Sequence, residues 1–195
     1  MPALLSRITA PAPIVLALDD DVKPDMASLT LSSLNFMSGV SVNSPDVVRG
    51  LARIMRDRGI TPELEVFDLG MLNVASVLRK EGLLVGPVAA NLFFGNVAGL
   101  QATPSEIGLA IDRVPEQTIW SGAGLGDYQQ TAQSIAIAAG GGVRVGLEDG
   151  IFYDRARTTL ATNPSLVERV HAMLELSERA YMTPSQYRTS VLGRS

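Results

Sequence analysis

The sequence predicts an α/β fold built on a parallel sheet, and three observations predict it. Five short β-rich runs stand out, at Met26–Leu31, Glu63–Phe67, Ala89–Phe94, Thr118–Ala123 and Val143–Leu147. The later runs start about 25 to 30 residues apart, with helical patterns of about ten to fifteen residues between them. Parallel strands need such a return, because a tight turn cannot carry the chain back to the same end of the sheet. Finally, 195 residues that are 46% hydrophobic and 18% charged suffice for one sizeable core, so residues 1–195 read as a single domain.

Ahead of these runs, Ile14–Leu18 is a weaker strand candidate. Only Asp19 to Asp25 separates it from Met26, too few residues for a helical crossover. Residues 1–25 are therefore expected to depart from the unit plan of 26–195. Asp19-Asp20-Asp21 could bind a hard cation, but acidic turns are commoner and the tripeptide reads as one.

The helix starts are marked by capping side chains before a proline. Ser44-Pro45, Thr103-Pro104, Asn163-Pro164 and Thr183-Pro184 all fit, and Thr103 with Glu106 fits a capping box. Val47, Val48, Leu51, Ile54 and Met55 form an apolar stripe at helical spacing, ending at Gly59. Further helices are expected over Met71–Lys80, Ser105–Val114, Tyr128–Ala139 and Pro164–Ala180.

Composition narrows the function classes. Sixteen Lys and Arg against twenty Asp and Glu give a net charge of −4, with no basic block. A nucleic-acid or anionic-membrane partner thus has no electrostatic footprint. Zero cysteines exclude disulfides, thiolate metal sites and a cysteine nucleophile. A single histidine, His171, excludes any site needing two; it lies beside Val167, Val170 and Leu174 at helical spacing, which reads as structural. The N-terminus lacks a long apolar stretch, so no signal peptide is read and a cytoplasmic location is expected.

One rim of the sheet reads as functional. Eleven of the eighteen glycines fall between Gly95 and Gly150, clustered after the expected strands. Ligands of parallel α/β folds bind at that end, and glycine lets a backbone come close. Gly122, Gly124 and Gly126 precede the helix expected at Tyr128 and could face an anion, though Asp127 works against one. The spacing is a weak nucleotide fingerprint. Trp120 reads as a core residue. Most specific is Gly140 to Gly150, where Arg144 and Gly146 lie on one side of an expected strand that ends at Glu148 and Asp149. Adjacent carboxylates could supply a metal ligand and a general base, with Arg144 holding an anion or lowering a carboxylate pKa. A salt bridge at a solvated turn is the plainer reading of the same residues.

That stretch resembles the last barrel strand of the β-keto acid cleavage enzymes, the 3-keto-5-aminohexanoate cleavage family. The resemblance continues in order along the chain. Lys23 to Leu29 and Ser33 to Phe36 resemble the family's fourth strand, and Asn43-Ser44-Pro45 the helix start after it. Pro62 to Met71 resembles the fifth strand, Trp120 with Ala123 to Gly126 the seventh, and Asn163 to Arg169 with Met182-Thr183-Pro184 the C-terminal helices. It implies a fold derived from a (β/α)8 TIM barrel, here an incomplete barrel lacking the first strands, with 26–195 as units four to eight.

It also implies a reaction. A β-keto acid condenses with acetyl-CoA to give acetoacetate and a new acyl-CoA, assisted by a divalent metal, usually zinc. On the matching positions, Glu148 is the metal ligand, Asp149 the base, Arg144 its assistant, and Ser33 a substrate hydroxyl where the family usually has Thr. Asn35, Glu65, Gly124 and Gly126 match positions around the substrate. The family's other two metal ligands form a His-x-His on its second strand, which this sequence does not contain. Ser33, Asp127, Gly142 and Gly150 each depart from the usual residue. The expectation is an enzyme of this reaction class acting as a homo-oligomer, since open sheet edges need cover. Two alternatives stand: a non-catalytic homologue that binds acyl-CoA or a carboxylate or assembles with another chain, or a longer natural chain whose upstream sequence supplies the histidines.

Overall fold

The computed structural model of the chain describes residues 18, 19 and 21–193. Its centre is a five-stranded parallel sheet of β1 (Met26–Thr30), β4 (Thr61–Val66), β5 (Val88–Phe94), β6 (Thr118–Gly124) and β7 (Gly142–Val143), in that order. A two-stranded antiparallel hairpin, β2 (Leu34–Phe36) and β3 (Gly39–Ser41), follows β1. The α-helices are α1 (Pro45–Asp57), α2 (Leu69–Lys80), α3 (Pro104–Asp112), α4 (Gln129–Ala138), α5 (Asn163–Leu176) and α6 (Pro184–Ser190), with a 3-10 turn at Gly126–Tyr128 leading into α4.

Apart from the hairpin, sequential strands are spatial neighbours. With right-handed crossovers that order puts the connecting helices on one face of the sheet. The strand β4 records this directly. Pro62, Leu64 and Val66 are buried, whereas Thr61, Glu63 and Glu65 are only partly covered, as a period of two requires. On the helix side, Leu29, Leu64 and Ala90 are in register and pack in one core with Met55, Met71, Leu78 and Ile107. The central strand β5 is buried along its whole length. Trp120 packs against the same core, and a side chain at Gly141 would strike its ring, with a Cβ at 2.3 Å. Among the described residues β1 and β7 are the free edges, so the sheet is open.

Caps set the helix starts with one correction. Ser44, Thr103 and Thr183 accept hydrogen bonds from the third helical residue as expected. The cap of α5 is Thr162 rather than Asn163, and it forms a reciprocal box with Ser165. At Thr103 the box stays half-made, because the Glu106 carboxylate accepts instead from the Gln101 N–H at 2.7 Å. A further cap, Asp68, starts α2 two residues earlier than expected, at Leu69. Helix α5 stops at Leu176, short of Ala180, and Glu178 follows in the left-handed region at φ 53°.

Two further expectations change. The run Val143–Leu147 is a strand only at Gly142–Val143. Arg144 still donates its N–H to Gly122 O at 3.1 Å, but the chain then folds back through a turn closed by Asp149 N–H to Gly146 O at 3.2 Å. Near the start, Val22 N–H donates to Asp19 O at 3.1 Å. Asp20 and residues 14–17 of the weaker strand candidate lie outside the described residues. Among the described residues no helix is long and apolar enough to cross a membrane.

Candidate functional site

A polar row runs across the helix-free face. The register sets Thr30 beside Glu65, Glu65 beside Asn91, and Asn91 beside Ser121. Thr30 Oγ1 donates a short hydrogen bond to Glu65 Oε2. Asn91, only 5% exposed, donates from Nδ2 to Glu63 Oε1 at 2.7 Å, and Ser28 Oγ donates to Glu63 Oε2 at 3.4 Å. Burial raises the Glu65 pKa, outweighing the Thr30 hydrogen bond and the Arg144 charge that pull it down. Two carboxylates two residues apart thus share one face because the strand alternates, and the row's hydroxyl and amide groups partner them.

The turn after β7 brings Arg144, Glu148 and Asp149 together at the C-terminal end of the sheet. Arg144 Nε donates to Asp149 Oδ2 at 3.2 Å and Nη2 to Glu148 Oε2 at 2.7 Å. The guanidinium lies over the Phe93 ring, 5.0 Å from its centroid, and Phe93 stacks on Phe67 at 4.5 Å. The two carboxylates differ sharply in exposure. The Asp149 side chain is 5% exposed and that of Glu148 is 83% exposed. Burial therefore raises the Asp149 pKa despite the neighbouring guanidinium, which acts the other way. A carboxylate so placed holds its proton more tightly and is the stronger base when ionised.

The backbone around Asp149 is held from several sides. Gly126 donates its N–H to Asp149 O at 2.6 Å. Gln129, 4% exposed, reaches Gly146 O and Gly150 O from Nε2 at 3.4 and 3.5 Å. Asn163, displaced from capping α5, accepts the Leu147 N–H at Oδ1, 3.0 Å away. Gly124 has no room for a side chain, since a Cβ would lie 2.2 Å from Tyr128 O. Gly122 and Gly124 thus serve close packing, and Gly126 anchors Asp149. The charge of Asp127 is met by Arg157, which donates to both its carboxylate oxygens at 3.1 and 3.0 Å.

The structure brings Glu65, Arg144, Glu148 and Asp149 together and leaves two candidates apart. Ser33 is exposed, and its Oγ accepts the Asn43 N–H at 2.9 Å, fixing the base of the hairpin. Asn35 is likewise exposed on β2, and its carbonyl accepts from Asn96 Nδ2 at 2.9 Å. Neither is hydrogen-bonded to the carboxylate cluster. Four residues of the cluster's surroundings were not singled out from the sequence: Thr30, Glu63, Asn91 and Phe93. One signal was available, because Asn91 is the lone amide in the otherwise apolar run Ala89–Phe94.

The residues do not build the expected metal centre. Glu148 is engaged by Arg144, and no group of three or more His, Cys, Asp or Glu among the described residues could hold a metal ion. Catalytic zinc takes three protein ligands. His171 is remote from the cluster, on α5, where its ring stacks on Tyr181 at 4.5 Å.

The raised Glu65 pKa has a consequence for stability. The folded state binds that proton more tightly than the unfolded chain does. Its contribution is full below the ordinary glutamate pKa and is lost as pH rises through the raised value. Glu65→Gln keeps an acceptor for Thr30 and removes the ionisation. Urea unfolding at a series of pH values should show the variant gaining on the wild type as pH rises towards 7. A difference that stays constant with pH would contradict this.

The sequence model of the beta-keto acid cleavage enzyme family matches residues 7–192. The chain is 33% identical over 171 residues to a 3-keto-5-aminohexanoate cleavage enzyme of Fusobacterium nucleatum, covering 86% of this chain and 61% of that protein. It is 33% identical over 175 residues to a 3-oxoadipate:acetyl-CoA acetyltransferase of Cupriavidus necator, covering 88% of this chain and 61% of that one. The chain thus spans about three fifths of the length of these relatives. Among solved structures, apo ObcA superposes with a TM-score of 0.71 over 88% of this chain and 45% of its own, at 23% identity, a likeness of fold. The open parallel sheet with alternating helices is the expected barrel-derived α/β fold. By the extent of the sequence match, the chain belongs to the beta-keto acid cleavage enzyme family.

Proposed function

We propose that this chain supplies the second-half site residues for condensing a β-keto acid with acetyl-CoA, giving acetoacetate and a new acyl-CoA. The observation that carries this reading is the buried Asp149 carboxylate held by Arg144 at the C-terminal end of a parallel sheet, where such folds bind ligands. The name of one relative supplies the co-substrate, for the Cupriavidus necator protein is a 3-oxoadipate:acetyl-CoA acetyltransferase.

Asp149 takes a proton from the carbon between the ketone and the carboxylate of the β-keto acid. Arg144 offers positive charge to the enolate that forms, its hydrogen bonds pre-organised by Asp149 and the Phe93 ring. The enolate carbon attacks the thioester carbonyl, forming a carbon–carbon bond and expelling the CoA thiolate. The thiolate attacks the original ketone, and cleavage of the next carbon–carbon bond gives the new acyl-CoA and the enolate of acetoacetate. Asp149 returns its proton to that enolate, so the base is regenerated. Glu65, on the polar row, is assigned to the substrate side, with Gly124 and Gly126 at the rim. The open sheet edges are assigned to contact with another copy of the chain, in one cytoplasmic domain of residues 1–195.

Two measurements test this. Incubation with acetyl-CoA and a panel of β-keto acids should yield acetoacetate, and Asp149→Asn should slow turnover by about a hundredfold or more. No turnover across the panel, or an Asp149→Asn protein as fast as the wild type, would sink the reading. Size-exclusion with light scattering should give an oligomer; a well-behaved monomer removes the assembly part of the proposal.

A further inference from the structure

Beside the carboxylate cluster lies a cavity of about 300 Å³ whose wall includes Asp149, Asp127, Tyr153, Arg155, Arg157 and Arg169. Its charges do not cancel locally. Arg157 is spent on Asp127. Glu148 and Asp149, both in the wall, are met by Arg144. The fourth carboxylate, Asp154, accepts from the backbone N–H groups of Thr158 and Thr159 and from the Thr158 hydroxyl. Two guanidiniums remain with no carboxylate against them. Arg169 has only neutral partners: it donates to Tyr153 O at 2.7 Å and Gln129 Oε1 at 3.3 Å, and lies over the Tyr153 ring. Its buried Nε has no partner at all. Arg155 is exposed and has no hydrogen-bond or ion-pair partner among the described residues.

The segment that carries Arg155 is built rather than loose. Phe152 and Leu160 form an antiparallel bridge. Tyr153 N–H donates to Thr159 O and Ala161 N–H to Ile151 O, both at 2.8 Å. Asp154 ties the turn between them, and Arg157 takes the left-handed conformation at φ 58° that closes it. Because these hydrogen bonds fix the loop backbone, the Arg155 side chain is what remains to be ordered when an anion binds.

We infer that this cavity receives the phosphate-bearing end of the CoA thioester, with Arg155 and Arg169 as its phosphate contacts. This rests on the acetyl-CoA reading above. Asp149 shares the cavity wall with these arginines, so the proposed base and the phosphate contacts border the same space. A planar fork of donors suits phosphate oxygens. Asp127, which counted against an anion in the sequence, is neutralised here by Arg157.

The test uses calorimetric titration of the full chain with CoA, pantetheine and adenosine 3′,5′-bisphosphate. The wild type should bind CoA more tightly than pantetheine. Arg155→Glu should weaken CoA and the bisphosphate by about tenfold or more and leave pantetheine unchanged, while Arg155→Lys keeps much of the affinity. Because Arg155 has no partner, its variants should melt with the wild type, which controls for folding. Equal affinity of Arg155→Glu and wild type for CoA would overturn the proposal, as would a wild type that binds neither phosphate-bearing probe. Failure of the reaction itself looks different. Bisphosphate binding that Arg155→Glu abolishes, without acyl transfer, upholds the cavity and removes the activity. Acyl transfer whose KM for acetyl-CoA is untouched by Arg155→Glu removes the cavity and leaves the activity.

Discussion

The Arg144 guanidinium is where the C-terminal end of the sheet is tied together. Its backbone N–H rests on β6 at Gly122 O, its plane on β5 at Phe93, and its donors on Glu148 and Asp149 in the following turn. Asp149 passes the constraint on, because its carbonyl accepts the Gly126 N–H that starts the turn into α4. A carboxylate taken from water loses hydration worth several kcal/mol, recovered only if a partner of good geometry is in place. Without Arg144, Asp149 would be a buried charge lacking compensation. The turn, the glycines that crowd it and the orientation of the proposed base all depend on that pair.

The same pair links fold to chemistry. Strand alternation puts Glu63 and Glu65 on the helix-free face, and the sheet order brings the polar row within reach of Arg144. Burial raises both Glu65 and Asp149, while Glu148 stays in water. Three carboxylates of one site are thus set in different environments, two buried and one exposed. Stability is given up to keep two acids partly out of water, a pattern common at functional sites.

Much of this was legible in the sequence, and the remainder fails for definable reasons. Local signals were strong where the physics is local. Strand spacing located all five sheet strands, and capping side chains next to proline located the starts of α1, α3, α5 and α6. Arg144, Glu148 and Asp149 were recognised because they lie within six residues of one another. Thr30, Glu63, Asn91 and Phe93 were missed because their partnership depends on register between strands 28 or more residues apart. The expected strand Val143–Leu147 was too long because β propensity cannot foresee a tertiary override. Arg144 bonds back onto its own loop, and Asn163 holds Leu147 away from the ladder. Asn163 was misread as a cap for the same reason, with Thr162 taking that role. The His-x-His pair that the resemblance implies has no counterpart here, because the sequence holds a single histidine.

The central claim is that Asp149 is held in place by Arg144, and a double-mutant cycle measures it directly. Stability would be determined by urea unfolding for the wild type, Arg144→Met, Asp149→Asn and the double variant. Arg144→Met alone should cost about 3 kcal/mol, as removing one partner of a buried pair does. The double variant should recover part of that loss, giving a coupling energy of about 1 to 3 kcal/mol. Additivity within about 0.5 kcal/mol would mean that the two residues are neighbours without being partners, and would contradict the account.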